Sequence, residues 1–136
     1  MTEEYELQNC TVEISTTVDG VETQIKRKGK LGLFTRSVEL SYTDENANVQ
    51  LRLQGESATI ERTGDYTLRL FLENGQTRSG WLGIGGAEGE LQVFTRKIAY
   101  SIGKNSVLAS LQYTLRIGDE PQEMKLRISA RVDESK

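Results

Sequence analysis

Apolar and polar residues alternate along almost every segment between the glycines of this chain. An apolar residue at every second position is typical of a β-strand with one buried face. Glycine occurs thirteen times and proline once in 136 residues, and no segment of convincing length has the period of an amphipathic helix. The pattern therefore predicts an all-β protein built from many strands and tight turns.

Folding the chain at each predicted turn tests this interpretation, because a slip of one residue would move apolar side chains to opposite faces. Asp19-Gly20 and Asn74-Gly75 are typical type I′ turn sequences, and polar or glycine-containing loops separate the other strands. The facing pairs predicted in this way are Val18 with Val21, Ile14 with Ile25, Leu68 with Trp81, Ile60 with Leu68, Leu51 with Ile60, Leu40 with Leu51, Ile98 with Leu111 and Tyr113 with Leu126. Apolar residues face each other in these pairs, so the turns predict one continuous inner face.

The segment GWLGIGGAEGEL, residues 80–91, contains five glycines and has the composition of a phosphate-binding loop. Such a loop must lead into a helix whose N-terminal amides meet the anion. The residues that follow, ELQVFTRKIAYSI, alternate like a strand and carry no helix cap. We therefore interpret Gly85-Gly86-Ala87 as a turn, which would place Trp81 opposite Leu91 and Thr77 opposite Thr95.

The residues expected to point inward change from odd to even numbers at two places along the chain. These places lie between Thr95 and Ile98 and between Leu33 and Val38. A bulge or a corner in a strongly coiled strand produces such a change. The chain is then a meander of nine or ten antiparallel strands, and a sheet of this length tends to curl and close on itself. We predict one domain over residues 1–136, an up-and-down antiparallel sheet closed into a β-barrel.

Composition excludes several classes of function. The chain has no histidine, which removes Ser-His-Asp and Cys-His mechanisms and His-ligated zinc. Cys10 is the only cysteine, the N-terminal MTEEYELQ is acidic, and no apolar run approaches a membrane span, so we expect a cytoplasmic protein. Acidic residues occupy turns or solvent-facing positions and form no catalytic pair, so we expect a non-enzymatic protein without metal or cofactor.

Three segments carry a resemblance to a known family: IERTGDYTLRLFLENGQTRSGW, GELQVFTRKI and LQYTLRIGDEPQEMKLRISARV. The chain resembles the YwiB-like family of uncharacterised bacterial proteins from its first hairpin to Val132. One departure is the sequence after Trp81, where relatives carry a tyrosine and a Thr-Pro-type turn. The resemblance implies a calycin-like, lipocalin-like barrel, a fold whose members hold small apolar ligands inside, but it transfers no activity.

Arg62 falls on the inner face by the same alternation, where an unpaired guanidinium would be costly to bury. In one hypothesis it anchors the acidic group of a small amphipathic ligand inside the barrel. The residues of that site would be the walls Tyr42, Tyr66, Trp81 and Tyr113, the apolar contacts Leu68, Leu70 and Leu111, and a hydroxyl row of Thr77, Ser79 and Thr95. In the alternative, Arg62 pairs with a neighbouring acid near the barrel mouth and side chains fill the interior.

Two further hypotheses place function on the outside of the barrel. The predicted registers align Phe71, Arg78 and Phe94 across adjacent strands, as a cation–π patch that would meet a second subunit or another protein, or be covered by the N-terminal strand. The basic run Lys26–Lys30 suggests weak RNA binding, although a solvated hairpin tip explains it as well. The net charge of −3 gives nucleic acid no general attraction. We therefore expect a small-ligand binder first, with an interaction module or homodimer and RNA binding as alternatives.

Overall fold

The computed structural model describes residues 7–133, and all its regular structure is β-strand. The ten strands are β1 (Gln8–Val18), β2 (Val21–Leu33), β3 (Ser37–Asp44), β4 (Ala47–Gln54), β5 (Ser57–Thr63), β6 (Tyr66–Glu73), β7 (Thr77–Ile84), β8 (Ala87–Ile102), β9 (Ser106–Ile117) and β10 (Glu120–Val132). Each strand pairs antiparallel with the next one, and β1 pairs with β10. The predicted up-and-down meander closed into a barrel is confirmed.

Tight turns fix the register of the hairpins that they connect. Asp19 and Gly20 both have positive φ, 48° and 88°, as a type I′ turn requires. The turn sets Val18 opposite Val21 and, further along the strands, Ile14 opposite Ile25, which confirms the predicted pairs. The predicted registers of β3 with β4, β4 with β5 and β8 with β9 are confirmed in the same way.

Two predicted hairpin registers are wrong by two residues. Ile60 lies opposite Leu70 rather than Leu68, and Leu126 lies opposite Leu111 rather than Tyr113. The turns are placed differently from the prediction, and β10 already begins at Glu120. A slip of two residues keeps every side chain on its face because strand side chains alternate with a period of two.

The registers on both sides of β7 are wrong by one residue, and this error changes faces. Trp81 lies opposite Arg69 and Glu90, whereas the prediction set it opposite Leu68 and Leu91. Gln76 donates a hydrogen bond to Glu73 at 2.9 Å across the turn, so residues 70–72 of β6 stand opposite residues 77–80 of β7. The extra residue is a bulge that reverses the facing of β7.

Gly80 occupies the inner position that the prediction gave to Trp81. A Cβ at Gly80 would lie 2.8 Å from the Arg69 carbonyl oxygen and 2.8 Å from Leu91 Cδ1. The position therefore favours glycine because backbone and core side chains approach it closely. The glycine-rich segment is otherwise turn and strand, as predicted, since Gly85 and Gly86 turn the chain from β7 into β8 with φ of 57° and 85°.

The parity change near Thr95 is a β-bulge, as predicted, because the register of β8 with β9 shifts between Thr95 and Lys97. The other change falls at residues 34–36, which connect β2 to β3. The inner face that results carries the core, a single cluster of buried residues from all the strands except β7. Its largest fully buried members are Leu31, Leu53, Leu70, Leu72, Leu91 and Leu111.

Candidate functional site

The middle of the barrel is filled by side chains. Val12, Val93 and Leu111 have no accessible surface, and that of Leu70 is only 1%. A side chain without accessible surface adjoins no space large enough for a water molecule. The interior ligand was predicted to lie against Leu70 and Leu111, and the structure leaves no room for a ligand beside these two residues.

Arg62 lies on the inner face near the end of β5, with its side chain 22% exposed. Its guanidinium stacks on the ring of Tyr66, with Cζ 3.6 Å from the ring centroid. Nη1 donates a hydrogen bond to the Tyr66 carbonyl oxygen at 2.7 Å and Nη2 donates one to Asp65 Oδ1 at 2.9 Å. The bond from Arg62 is also the main cause that lowers the pKa of Asp65. The guanidinium of Arg62 therefore binds groups of its own β5–β6 hairpin.

Tyr42 and Tyr113 share an apolar environment on the inner face. Burial is the main cause that raises the pKa of Tyr42 to about 12, with Asp44 raising it further and Arg27 opposing the shift. Burial also raises the pKa of Tyr113, and the neighbouring Tyr42 adds to this effect. Both phenols are held in their neutral form, which suits packing rather than proton transfer near neutral pH.

Of the three hydroxyl residues predicted to form one inner row, only Thr95 lies inside. It stands opposite Tyr113, is fully buried, and has no hydrogen-bond partner for Oγ1 among the described residues. Thr77 and Ser79 are exposed on the outside, opposite Phe94 and Gln92. The predicted row is wrong because the bulge in β7 turns these two residues outward.

The predicted alignment of Phe71, Arg78 and Phe94 on the outer face is also wrong. Both phenylalanines are exposed, 40% and 41%, but Phe94 lies opposite Thr77 while Arg78 lies opposite Val93. Arg78 Nε donates to Glu73 Oε1 at 2.8 Å, and Nη2 contacts the same oxygen. In the described part of the chain, the cation–π contact is instead that of Arg62 with Tyr66.

Trp81 joins Phe71 on the outside instead of lining the interior, and its side chain is 44% exposed. The two rings border an outer depression of about 540 Å³, which we call the Phe71–Trp81 depression. Its other lining residues are Ser57, Ala58, Thr59, Leu72, Glu73, Arg78 and Ser79. The prediction missed this site because it required Trp81 to point inward.

The basic run Lys26–Lys30 lies within β2 and not at a hairpin tip, which corrects the prediction. Lys26, Lys28 and Lys30 are exposed, and the first two pair with Glu13 at 3.8 Å and with Asp133 at 3.2 Å. Arg27 alternates to the inner side, opposite Val12, and forms an ion pair with Asp44 at 2.8 Å. The charges of the run are divided between two faces and partly neutralised.

A groove of about 850 Å³ lies on the outside of β2, β1, β10, β9 and β8. Its outward residues form two neighbouring rows across the strands: Gln24, Ser15, Arg127, Ser110 and Ala99 in one, and Lys26, Glu13, Ser129, Leu108 and Ser101 in the other. Small side chains flank Arg127 in the first row and Leu108 in the second. We call this cavity the serine groove. The groove could not be predicted from the sequence because small outward residues carry no signal of their own.

Four charged residues line the serine groove, and they differ in how they are paired. Glu22 accepts hydrogen bonds from Ser15 at 2.5 Å and Gln24 at 3.2 Å. These bonds are the main causes that lower its pKa, and Arg127 and Lys125 lower it further. Arg127 has no carboxylate within 4.0 Å among the described residues. It lies directly opposite Ser15 and Ser110 on the neighbouring strands.

The described residues offer few groups for metal or thiol chemistry. Among them, no cluster of three or more Cys, Asp and Glu side chains is arranged to hold a metal ion. Cys10 is buried, and burial is the main cause that raises the pKa of its thiol, so thiolate chemistry is disfavoured. No helix of residues 7–133 has the length and hydropathy to cross a bilayer.

Comparison with known proteins identifies the family. The model of a domain of unknown function, DUF1934, matches residues 6–128. The chain belongs to the DUF1934 family. Among solved structures, this DUF1934 protein is similar to the crystal structure of the YwiB protein from Bacillus subtilis, with a TM-score of 0.80, 16% identity and 94% of each chain covered. At this identity the likeness shows the fold alone, and it confirms the predicted YwiB-like barrel. Comparison with curated proteins finds no match.

Proposed function

We propose that this DUF1934 protein is a non-enzymatic binding protein that holds a small amphipathic acid in the serine groove. The observation that carries the proposal is the guanidinium of Arg127, which has no carboxylate within 4.0 Å among the described residues and lines the serine groove. A guanidinium in such a position binds a carboxylate through two parallel hydrogen bonds. The single cysteine favours a reducing, cytoplasmic compartment for this function.

The surroundings of Arg127 suit an amphipathic ligand. Ser110, directly opposite on β9, supplies a hydroxyl that can donate to the second carboxylate oxygen. Leu108 is exposed between Ser129 and Ser101 in the groove and supplies an apolar contact for a hydrocarbon chain. The volume of about 850 Å³ lies in the range of small-molecule sites. The outer groove thus combines a basic anchor for an acidic group with an apolar wall, the two features that were predicted for the interior of the barrel.

Calorimetric titration with decanoate, below its micelle concentration, tests this proposal. We expect Arg127→Gln to weaken decanoate binding about 10- to 100-fold, because a hydrogen bond to a charged group contributes roughly 1.5–3 kcal/mol. Arg131→Gln is the matched control, since Arg131 is exposed on the same face of β10 but does not line the groove. Ser129→Trp should abolish binding by filling the groove.

Three results would overturn the proposal. Decanoate that binds Arg127→Gln and Arg131→Gln equally would place the anchor elsewhere. Decanol that binds as tightly as decanoate would remove the role of the carboxylate. Absence of decanoate binding to the unmodified protein would remove the amphipathic acid as the ligand class.

A homodimer through the outer aromatic residues is a second candidate, favoured by the exposure of Phe71 and Phe94. Sedimentation across a wide concentration range distinguishes it from the first proposal, because a dimer would be lost in Phe71→Ala and kept in Arg127→Gln. RNA binding has less support, since the basic residues of β2 are divided between two faces. It would require an affinity that falls steeply with salt and on replacing Lys28 and Lys30.

A further inference from the structure

The Phe71–Trp81 depression combines two exposed aromatic rings with hydroxyl groups. It lies on the outside of β5, β6 and β7, whereas the serine groove lies on the five strands β2, β1, β10, β9 and β8. Thr59 stands directly opposite Phe71 on the outer face, and Ser79 lines the same depression. The volume of about 540 Å³ suits a small ligand or a short segment of a polymer.

The charged groups around this depression are already paired with one another. Arg78 is bonded to Glu73, and the neighbouring Arg69 lies 3.9 Å from Glu61. Ser79 Oγ donates a hydrogen bond to Glu90 at 2.6 Å. An incoming phosphate would therefore meet no unpaired cation and would approach several carboxylates. The chemistry disfavours an anionic ligand and favours a neutral one.

We propose that the Phe71–Trp81 depression binds a neutral saccharide. A pyranose ring has a face of C–H groups that packs against an aromatic ring, whose face is electron-rich. Around its rim it carries hydroxyls that both donate and accept hydrogen bonds. The guanidinium of Arg78, the carboxylate of Glu73 and the hydroxyl of Thr59 supply the matching donors and acceptors. This inference concerns a site separate from the serine groove and does not depend on the proposed function.

Trp81 makes the site directly observable, because it is the single tryptophan of the chain. Its fluorescence should respond to cellotetraose, chitotetraose or maltotetraose in a saturable way at submillimolar to millimolar concentration. Phe71→Ala should weaken that binding about tenfold through loss of one aromatic contact. Phe94→Ala is the matched control, since Phe94 is equally exposed on the outer face but does not line the depression. It should bind the sugar as the unmodified protein does.

Each other outcome overturns the inference. No saturable response to any of the three oligosaccharides would exclude a neutral saccharide. Equal weakening by Phe71→Ala and Phe94→Ala would show that the response does not come from this depression. A response to a dT oligonucleotide at lower concentration than to the sugars would indicate a nucleic-acid site. A fluorescence change on raising protein concentration alone would indicate that a second copy of the chain occupies the surface.

Discussion

The guanidinium of Arg62 stacks on the ring of Tyr66, with Cζ 3.6 Å from the ring centroid, while bonding to the backbone of the same residue. Arg62 was predicted either to anchor an interior ligand or to pair with a neighbouring acid near the barrel mouth. Its donors close the β5–β6 hairpin at the end of the barrel, which agrees with the second alternative. A ligand acid at this position would have to displace Asp65, which already accepts a hydrogen bond from Nη2.

We expect Arg62→Ala to lower the free energy of unfolding by about 0.5–1 kcal/mol, the contribution of a partly exposed cation–π contact. Decanoate binding should not change, because Arg62 does not line the serine groove. Urea denaturation and calorimetry on the same preparation test both statements. Arg69→Ala is the control, since the half-exposed Arg69 side chain forms a longer ion pair, with Glu61 at 3.9 Å, and should change stability less. A large loss of decanoate binding in Arg62→Ala would show that Arg62 contributes to the ligand site.

The barrel itself could be predicted because turn chemistry and alternation fix the same registers independently. Asp19-Gly20 specifies both the turn geometry and the pairing of Val18 with Val21. The period of two then carries each register along its strand. An error of two residues in a predicted register, as at Ile60, leaves every side chain on its predicted face. The fold class can therefore be predicted even when the positions of the turns are only approximate.

The position of Trp81 could not be predicted from alternation. Gly80 occupies the inner position and has no side chain to mark it as apolar, so the large apolar neighbour was assigned to the core. The Arg69 carbonyl oxygen, Leu91 and Leu70 on the two neighbouring strands lie so close to Gly80 that a side chain would clash there, and alternation carries no signal of such a close approach. Both outer cavities were missed for related reasons, since they arise from the shape of the closed sheet.

Gly29 tests how closely β2 and β3 pack. A Cβ there would overlap the Ser41 carbonyl oxygen and lie 3.0 Å from Tyr42 Cβ. We expect Gly29→Ala to lower the free energy of unfolding by about 1–3 kcal/mol, as overpacking usually does. Gly89→Ala is the matched control, because a Cβ at that strand position meets nothing within 4 Å; it should raise stability by about 0.5 kcal/mol. Equal denaturation midpoints for the two variants would contradict the packing.

Thr95 tests the cost of a buried hydroxyl without a partner. Its Oγ1 has no hydrogen-bond partner among the described residues, and leaving such a group unsatisfied costs about 1–3 kcal/mol. We expect Thr95→Val, which keeps the shape, to raise the free energy of unfolding by about 1 kcal/mol. Thr114→Val is the control, since Thr114 Oγ1 bonds to Glu123 at 3.2 Å and should show no such gain. A loss of stability in Thr95→Val would indicate a partner for the hydroxyl.

The buried phenols predict an alkaline limit to stability. An unfolded tyrosine has a pKa of about 10, while burial raises the pKa of Tyr42 to about 12. Between these values the unfolded chain loses the Tyr42 proton and the folded chain keeps it, so the free energy of unfolding falls as pH rises, by about 1.4 kcal/mol per pH unit at most for this residue. Tyr113, whose pKa is also raised, adds to the fall.

Tyr42→Phe should therefore make the free energy of unfolding less dependent on pH above pH 10, while the stability at neutral pH changes little. Urea denaturation at a series of pH values measures this dependence. Tyr66→Phe is the control, because the Tyr66 ring is exposed and a phenylalanine there can still stack with Arg62; its profile should follow that of the unmodified protein. Identical profiles for Tyr42→Phe and the unmodified protein would show that Tyr42 ionises as freely in the folded barrel as in the unfolded chain.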